Sequence, residues 1–252
     1  MERHIDIQNI HNLRDLGGYR TQDGKSIKWR QLFRAGLLSK FDSSEIPKMK
    51  ALKLQSICDF RTIAEQTNEP DHWHDLETLN RFPLPIGKGR VDKLGWINLE
   101  SLGTGKNHYL YKANRSYVLR EAHRNKAFFE ILLNEDNYPL LYHCTAGKDR
   151  TGFATFLLLS ALGIDRETII EDYLSTNRYM DEFAQRHLDR LSQNNEIDTD
   201  KIESIFYAKE SYLEGALDAI ETDYQTVENY LATALNIGEP EIKQLKRILL
   251  ED

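Results

Sequence analysis

The spacing of apolar positions changes character twice along the chain. Up to about residue 60, short apolar runs alternate with turns. Gly17-Gly18 and Asp23-Gly24 bracket a predicted hairpin, and Leu32-Phe33 reads as a short strand. Asp42 with Glu45 three residues on predicts a capping box that opens a helix through Leu52. Residues 54–60 are short and mostly apolar, the pattern of a buried strand. Thr62 to Gln66 predicts a short helix, and Pro70 ends that region. Residues 85–110, with five glycines and scattered charge, form a long connection of the kind that is often functional. Val118, Ala122, Phe129, Leu132 and Leu133 then mark the buried face of one helix ending near Asn134.

A second buried strand covers Pro139 to His143, and Phe153 to Leu159 is apolar on all sides, as in a fully buried helix. Helical periodicity holds from there on. Ser211 and Glu214 predict a capping box before the stripe Leu213, Ala216, Leu217 and Ile220. Val227, Tyr230, Leu231, Ala234 and Leu235 make the next stripe. Gly238 stops that helix, and Pro240 opens the last one. Strands alternating with helices, then helices alone, predict an α/β sheet carrying a helical C-terminal extension, one domain over residues 1–252.

Composition narrows the function. Of 252 residues, 40% are hydrophobic and 29% charged, so the chain can bury a core. The net charge of -7, from 33 basic and 40 acidic residues, speaks against nucleic acid as a partner. No stretch is long enough to insert stably in a membrane, and the N-terminus lacks the apolar run of a signal peptide. With only Cys58 and Cys144, neither a disulfide framework nor a cysteine metal site is expected, and a reducing, cytoplasmic setting follows. A signal cut away beforehand would leave no trace, so export stays open, as does oligomeric state.

The chemistry concentrates in His143-Cys144-Thr145-Ala146-Gly147-Lys148-Asp149-Arg150-Thr151-Gly152, between a buried strand and a buried helix. Such a strand-loop-helix aims the backbone N–H groups of residues 145–150 at one point, where the helix N-terminus adds positive potential. That point suits a phosphate dianion. Cys144 there has its thiolate stabilised for attack on phosphorus, and the planar fork of Arg150 can hold two phosphate oxygens. One carboxyl group can protonate the leaving oxygen and then activate water, and Asp149 is nearest in sequence. Thr151 can hydrogen-bond the sulfur and ease its departure.

Cys-x5-Arg-Thr between strand and helix resembles the signature of the protein tyrosine phosphatase superfamily. HCTAGKDRTG resembles the loop of atypical bacterial tyrosine and dual- or triple-specificity phosphatases. NLRDLGGY from Asn12, FRAGLL from Phe33, CDFRT from Cys58 and DYLSTN from Asp172 are also similar to that group, so the resemblance covers nearly the whole chain. It implies a mostly parallel sheet flanked by helices, Cys144 as nucleophile, Arg150 as phosphate clamp, Asp149 as general acid, and no metal or cofactor. It implies phosphotyrosine as substrate, with phosphoserine or phosphothreonine beside it. Lys148 resembles the loop lysine of tensin-type phosphoinositide phosphatases, which adds phosphoinositides. Such enzymes often shield the site, so 85–110 and about 175–207 are candidate lids.

The chain departs from the animal-type enzymes, whose acid sits on a separate mobile loop. Asp71 is only a passing imitation of it, and Asp59 is a further candidate. Asp59 with Arg61 also reads as an ion pair fixing a strand end, Arg14 with Asp15 as a brace for the Gly17-Gly18 turn, and His143 as a supporting residue. Cys58 reads as a small buried hydrophobe, with a regulatory disulfide to Cys144 as the alternative. His72, Trp73 and His74 read as a solvated loop. A catalytically dead phosphate-binding module keeps the cradle but not an intact Cys144, Asp149, Arg150 and Thr151. Sulfur transfer of the rhodanese kind also uses a cysteine after a strand but needs no arginine at this offset.

Overall fold

Period-two alternation on both faces builds the central sheet. In this computed structural model, which describes residues 1–71, 78–87, 103–192, 203 and 206–252, Leu32, Cys58, Leu140 and Tyr142 face one hydrophobic cluster. Phe33, Ile57 and Leu141 face another. A strand apolar on both faces belongs in a sheet covered on both sides, as parallel sheets are. The strands β1 (Arg14–Asp15), β3 (Leu32–Ala35), β4 (Ser56–Asp59), β5 (Asn80–Pro83) and β6 (Leu140–His143) lie in the order β1-β3-β6-β4-β5. The pair β1/β3 is antiparallel and the other three are parallel. Asp59 on β4 and Ala35 on β3 both stand level with His143 on β6, so three strands end beside Cys144.

One face is covered by α1 (Ile46–Lys50), through Met49 and the following Leu52. The short α2 (Ile63–Asn68) follows β4. The other face takes α3 (Tyr109–Arg120), α4 (Ala122–Leu132) and α5 (Asp149–Leu162), the last buried along nearly its whole length as its sequence predicts. Around α5 pack α6 (Arg166–Ser192), α7 (Glu210–Tyr224), α8 (Val227–Ala234) and α9 (Glu239–Leu249), the helical extension. The extension also closes on the N-terminus, because β7 (Leu250–Glu251) pairs antiparallel with β2 (Ser26–Ile27) of the predicted hairpin. Among the described residues no helix is long and apolar enough to cross a membrane.

Three local expectations are corrected. Asp42 caps its segment by accepting from Ser44 N at 2.8 Å, but Glu45 pairs with Lys48, and a 3-10 turn precedes α1. The helix expected to run through Val118 to Asn134 is two, broken at Glu121, where buried Asn125 Nδ2 donates to Tyr117 O and rewards the break. Ser211 does not cap α7; that helix starts at Glu210 behind Lys209, which puts Ser211 inside the first turn.

Candidate active site

Cys144 follows the last residue of β6 and is 2% exposed. Its loop turns at Gly147, whose φ of +64° favours glycine and where any Cβ would lie 2.4 Å from Ala35 O. Lys148 occupies the N-cap position of α5, and Asp149 and Arg150 form its first turn. The loop thus opens at the positive end of a fourteen-residue helix. Arg150 and Lys148 both interact electrostatically with Cys144.

Arg150 is not loose. Its Nη1 and Nη2 donate to Glu65 Oε2 and Oε1 at 2.7 and 2.8 Å, with further bonds to Phe60 O and Thr145 Oγ1 at 3.3 Å. Glu65 also accepts from Thr145 Oγ1 at 2.5 Å and from Thr62 N at 2.7 Å. Burial alone would raise the Glu65 pKa; Arg150 outweighs it and holds the carboxyl well below its usual range. The end of the guanidinium is therefore spent on Glu65 and Nη2 also serves Thr145, so among the described residues Nε is the donor of this side chain without a hydrogen bond, and a phosphate must displace Thr145 to be held by two of its donors. Glu65 was missed in the sequence. Its signal was there, since Thr62 and Glu65 form a capping box, but nothing local shows that the same carboxylate crosses to the loop.

Asp149 Oδ1 accepts from Tyr173 on α6 at 3.3 Å, and its Oδ2 is 3.6 Å from Lys148 Nζ. Lys148 does not face an open groove. It is 1% exposed, donates to Tyr207 O at 3.3 Å and lies over the Tyr212 ring, so the helical extension covers it. Burial lowers its pKa, and Asp149 and Cys144 pull the other way. Thr151 Oγ1 is buried without a hydrogen-bond partner among the described residues, so the expected bond to sulfur is not formed in this geometry.

The supporting residues form their own cluster. Arg61 holds Asp59 and Asp71 at 2.7 and 2.8 Å and donates to Glu69 O. His143, wholly buried, has Nδ1 3.2 Å from Cys144 O, and its Nε2 lies 3.7 Å from each carboxylate. Burial pushes its pKa down, partly offset by Asp59 and Asp71. These three residues bring ligand atoms within 4.8 Å of one another, the geometry of a cation site. Arg61 already supplies the cation, which argues against a metal there. Arg61 thus pairs with both carboxylates, although burial still raises the Asp71 pKa against the pull of His143 and Arg61. This pairing matches the ion-pair reading of Asp59 with Arg61.

The brace at Gly17 is half as expected. Asp15 accepts from Gly17 N and Arg30 N at 2.8 Å each, but Arg14 turns away to Asp172 on α6. Cys58 is fully buried in the core, and burial pushes its thiol up, the state of an inert packing residue. His72, Trp73 and His74, residues 88–102 of the 85–110 segment, and residues 193–202, 204 and 205 of the 175–207 segment lie outside the described residues.

The chain is 27% identical over 239 residues to H16_A0669, a candidate tyrosine-protein phosphatase of Cupriavidus necator, covering 95% of this chain and 86% of that one. It is 23% identical over 277 residues to the triple specificity protein phosphatase PtpB of Mycobacterium tuberculosis, covering 97% and 98%. Among solved structures, the core catalytic domain of the PP-IP phosphatase SIW14 from S. cerevisiae overlaps 66% of this chain and 88% of its own, at 18% identity and a TM-score of 0.36. A family model described as the tyrosine phosphatase family matches residues 5–251. The chain therefore belongs to the tyrosine phosphatase family.

Proposed function

We propose that this phosphatase hydrolyses phosphate monoesters through a phosphocysteine on Cys144. The observation that carries the reading is Cys144 recessed at the N-terminus of α5 with Arg150 braced six residues on by Glu65. In the first step the Cys144 thiolate attacks phosphorus, the P–O bond to the leaving group breaks, and Asp149 gives its proton to the departing oxygen. In the second, Asp149 takes a proton from water, whose oxygen attacks phosphorus, and the S–P bond returns its electrons to sulfur. Arg150 and the loop N–H groups hold the equatorial oxygens, where charge gathers in the transition state. Thr151 Oγ1, which has no hydrogen-bond partner among the described residues, serves the leaving thiolate in this reading.

Asp149 is the preferred acid because it lies in the Cys144 loop itself, on the first turn of α5, whereas Asp59 and Asp71 cluster around Arg61 and His143. The substrate range extends from phosphotyrosine to phosphoserine and phosphothreonine, in keeping with the triple-specificity relative. Phosphoinositides are a second reading, supported by Lys148 beside Asp149. Because Lys148 is covered by Tyr207 and Tyr212, that reading requires the helical extension to move as a lid. Equal loss of phosphoinositide and phosphotyrosine hydrolysis in Lys148→Ala would remove the lysine as a selectivity element.

The direct test is phosphate release from para-nitrophenyl phosphate, in EDTA with reductant, by the wild type beside Cys144→Ser. Turnover lost only in the variant supports the mechanism. Vanadate binding without turnover in either protein would favour a phosphate-binding module instead.

A further inference from the structure

Three successive carbonyls of the Cys144 loop are held from the same side. Thr145 O accepts from Leu37 N at 2.9 Å. Ala146 O accepts from Asn12 Nδ2 at 3.1 Å. Gly147 O accepts from Asn12 Nδ2 at 2.9 Å and from Arg34 Nη2 at 2.8 Å. In a planar trans peptide the C=O and the following N–H point in opposite directions. Fixing these three oxygens therefore turns the N–H groups of Ala146, Gly147 and Lys148 away from Asn12 and Arg34. No hydrogen bond among the described residues uses the N–H of Ala146 or Gly147.

The clamp has its own support. Arg14 donates to Asn12 Oδ1, which fixes the amide so that Nδ2 faces the loop. Asp172 accepts from Arg14 Nε at 3.0 Å and from Arg34 Nη1 at 2.5 Å. All four side chains are at most 1% exposed. Two guanidinium groups thus share one carboxylate in a buried cluster, which among the described residues leaves one positive charge uncompensated behind the loop. Burial and the neighbouring Arg14 both push the Arg34 pKa down, as that surplus requires. A phosphate dianion in the loop is the counter-charge the cluster lacks. Asn12 also sits at φ +60°, a conformation that asparagine tolerates better than most residues, so the donor is delivered by a committed turn.

We propose that Asn12 and Arg34 are positioning residues for oxyanion binding: they hold the loop carbonyls back so that its N–H groups face the phosphate, and Arg34 adds charge from behind. The inference rests on the reading of the loop as a phosphate cradle. It takes up NLRDLGG, FRAG and the Asp of DYLSTN, motifs to which the phosphocysteine chemistry assigns no task.

The test compares wild type, Asn12→Gly, Asn12→Asp and Arg34→Lys. Asn12→Gly keeps the positive φ and removes the donor, Asn12→Asp puts an acceptor against the carbonyls, and Arg34→Lys keeps the charge and loses the fork. Orthovanadate and inorganic phosphate affinities are measured by calorimetry well below each Tm, with kcat and KM for para-nitrophenyl phosphate alongside. Vanadate affinity is expected to fall roughly tenfold in Asn12→Gly and further in Asn12→Asp, with kcat falling too. A lowered Tm with unchanged vanadate affinity and kcat would reduce these residues to structural roles and overturn the proposal. If Arg34→Lys fails to fold, the two Asn12 variants decide alone. Oxyanion affinity is read in the binding experiment whether or not the wild type turns over, so failure of the phosphatase reading stays distinct.

Discussion

Glu65, on the first turn of α2, grips both Nη groups of Arg150 at 2.7 and 2.8 Å. The pair joins the β4–α2 corner to the start of α5 and fixes which edge of the guanidinium meets a substrate. A bidentate carboxylate–arginine pair is directional as well as strong. The same carboxylate also holds Thr145, so one side chain sets two parts of the loop.

Glu65→Gln keeps the shape and removes the charge. It should lower kcat/KM for para-nitrophenyl phosphate by about tenfold to a hundredfold, the scale of one charge-assisted pair. Vanadate affinity should fall with it. An unchanged kcat/KM would mean that Arg150 orients itself without help.

If Asp149 protonates the leaving oxygen, its loss should matter most where that oxygen is a poor leaving group. Asp149→Asn is expected to slow phenyl phosphate by about 10²-fold or more and para-nitrophenyl phosphate much less. Steady-state kcat for the two esters checks this. Equal losses would return the acid role to another residue.

Lys148 is buried, and burial holds its pKa below the ordinary lysine value. The unfolded chain therefore binds this proton more tightly than the folded one. Stability should rise as pH climbs through the interval between the folded and unfolded pKa values. Lys148→Met should lack that rise, and at pH 7 it should be at least as stable as wild type. Denaturant midpoints for both proteins from pH 7 to pH 10 test it; parallel curves would show that the ammonium is better solvated than its burial implies.

Asp172 gives the same sign in a lower pH window, but there the folded state favours the charged form instead of penalising it. Burial raises its pKa, but Arg14 and Arg34 outweigh that and push it down to about 2. Its contribution is present above the unfolded value of about 4 and is lost as pH falls towards about 2. Asp172→Asn strands two buried arginines and should cost about 3–5 kcal/mol. It should also flatten the acid limb of a Tm-against-pH curve, and a limb as steep as in wild type would assign acid unfolding to other carboxylates.

Much of this was written locally. The strand at 139–143, the buried helix after it and the Cys144–Thr151 loop follow from apolar runs and a fixed spacing, and short-range patterns of that kind survive folding unchanged. Tertiary structure decided the partners. Glu65 lies in the short helix that Thr62 to Gln66 predicts, but only the parallel pairing of β4 with β6 brings that helix beside Arg150. Arg14 looked like a partner of the adjacent turn, yet Asp172 lies 158 residues on. Lys148 reads as a cation for substrate until α7 and the Tyr207 carbonyl cover it. A sequence names the groups able to carry charge. Which charges meet depends on distances set by the sheet order and the packing of distant helices, and no local pattern encodes those distances.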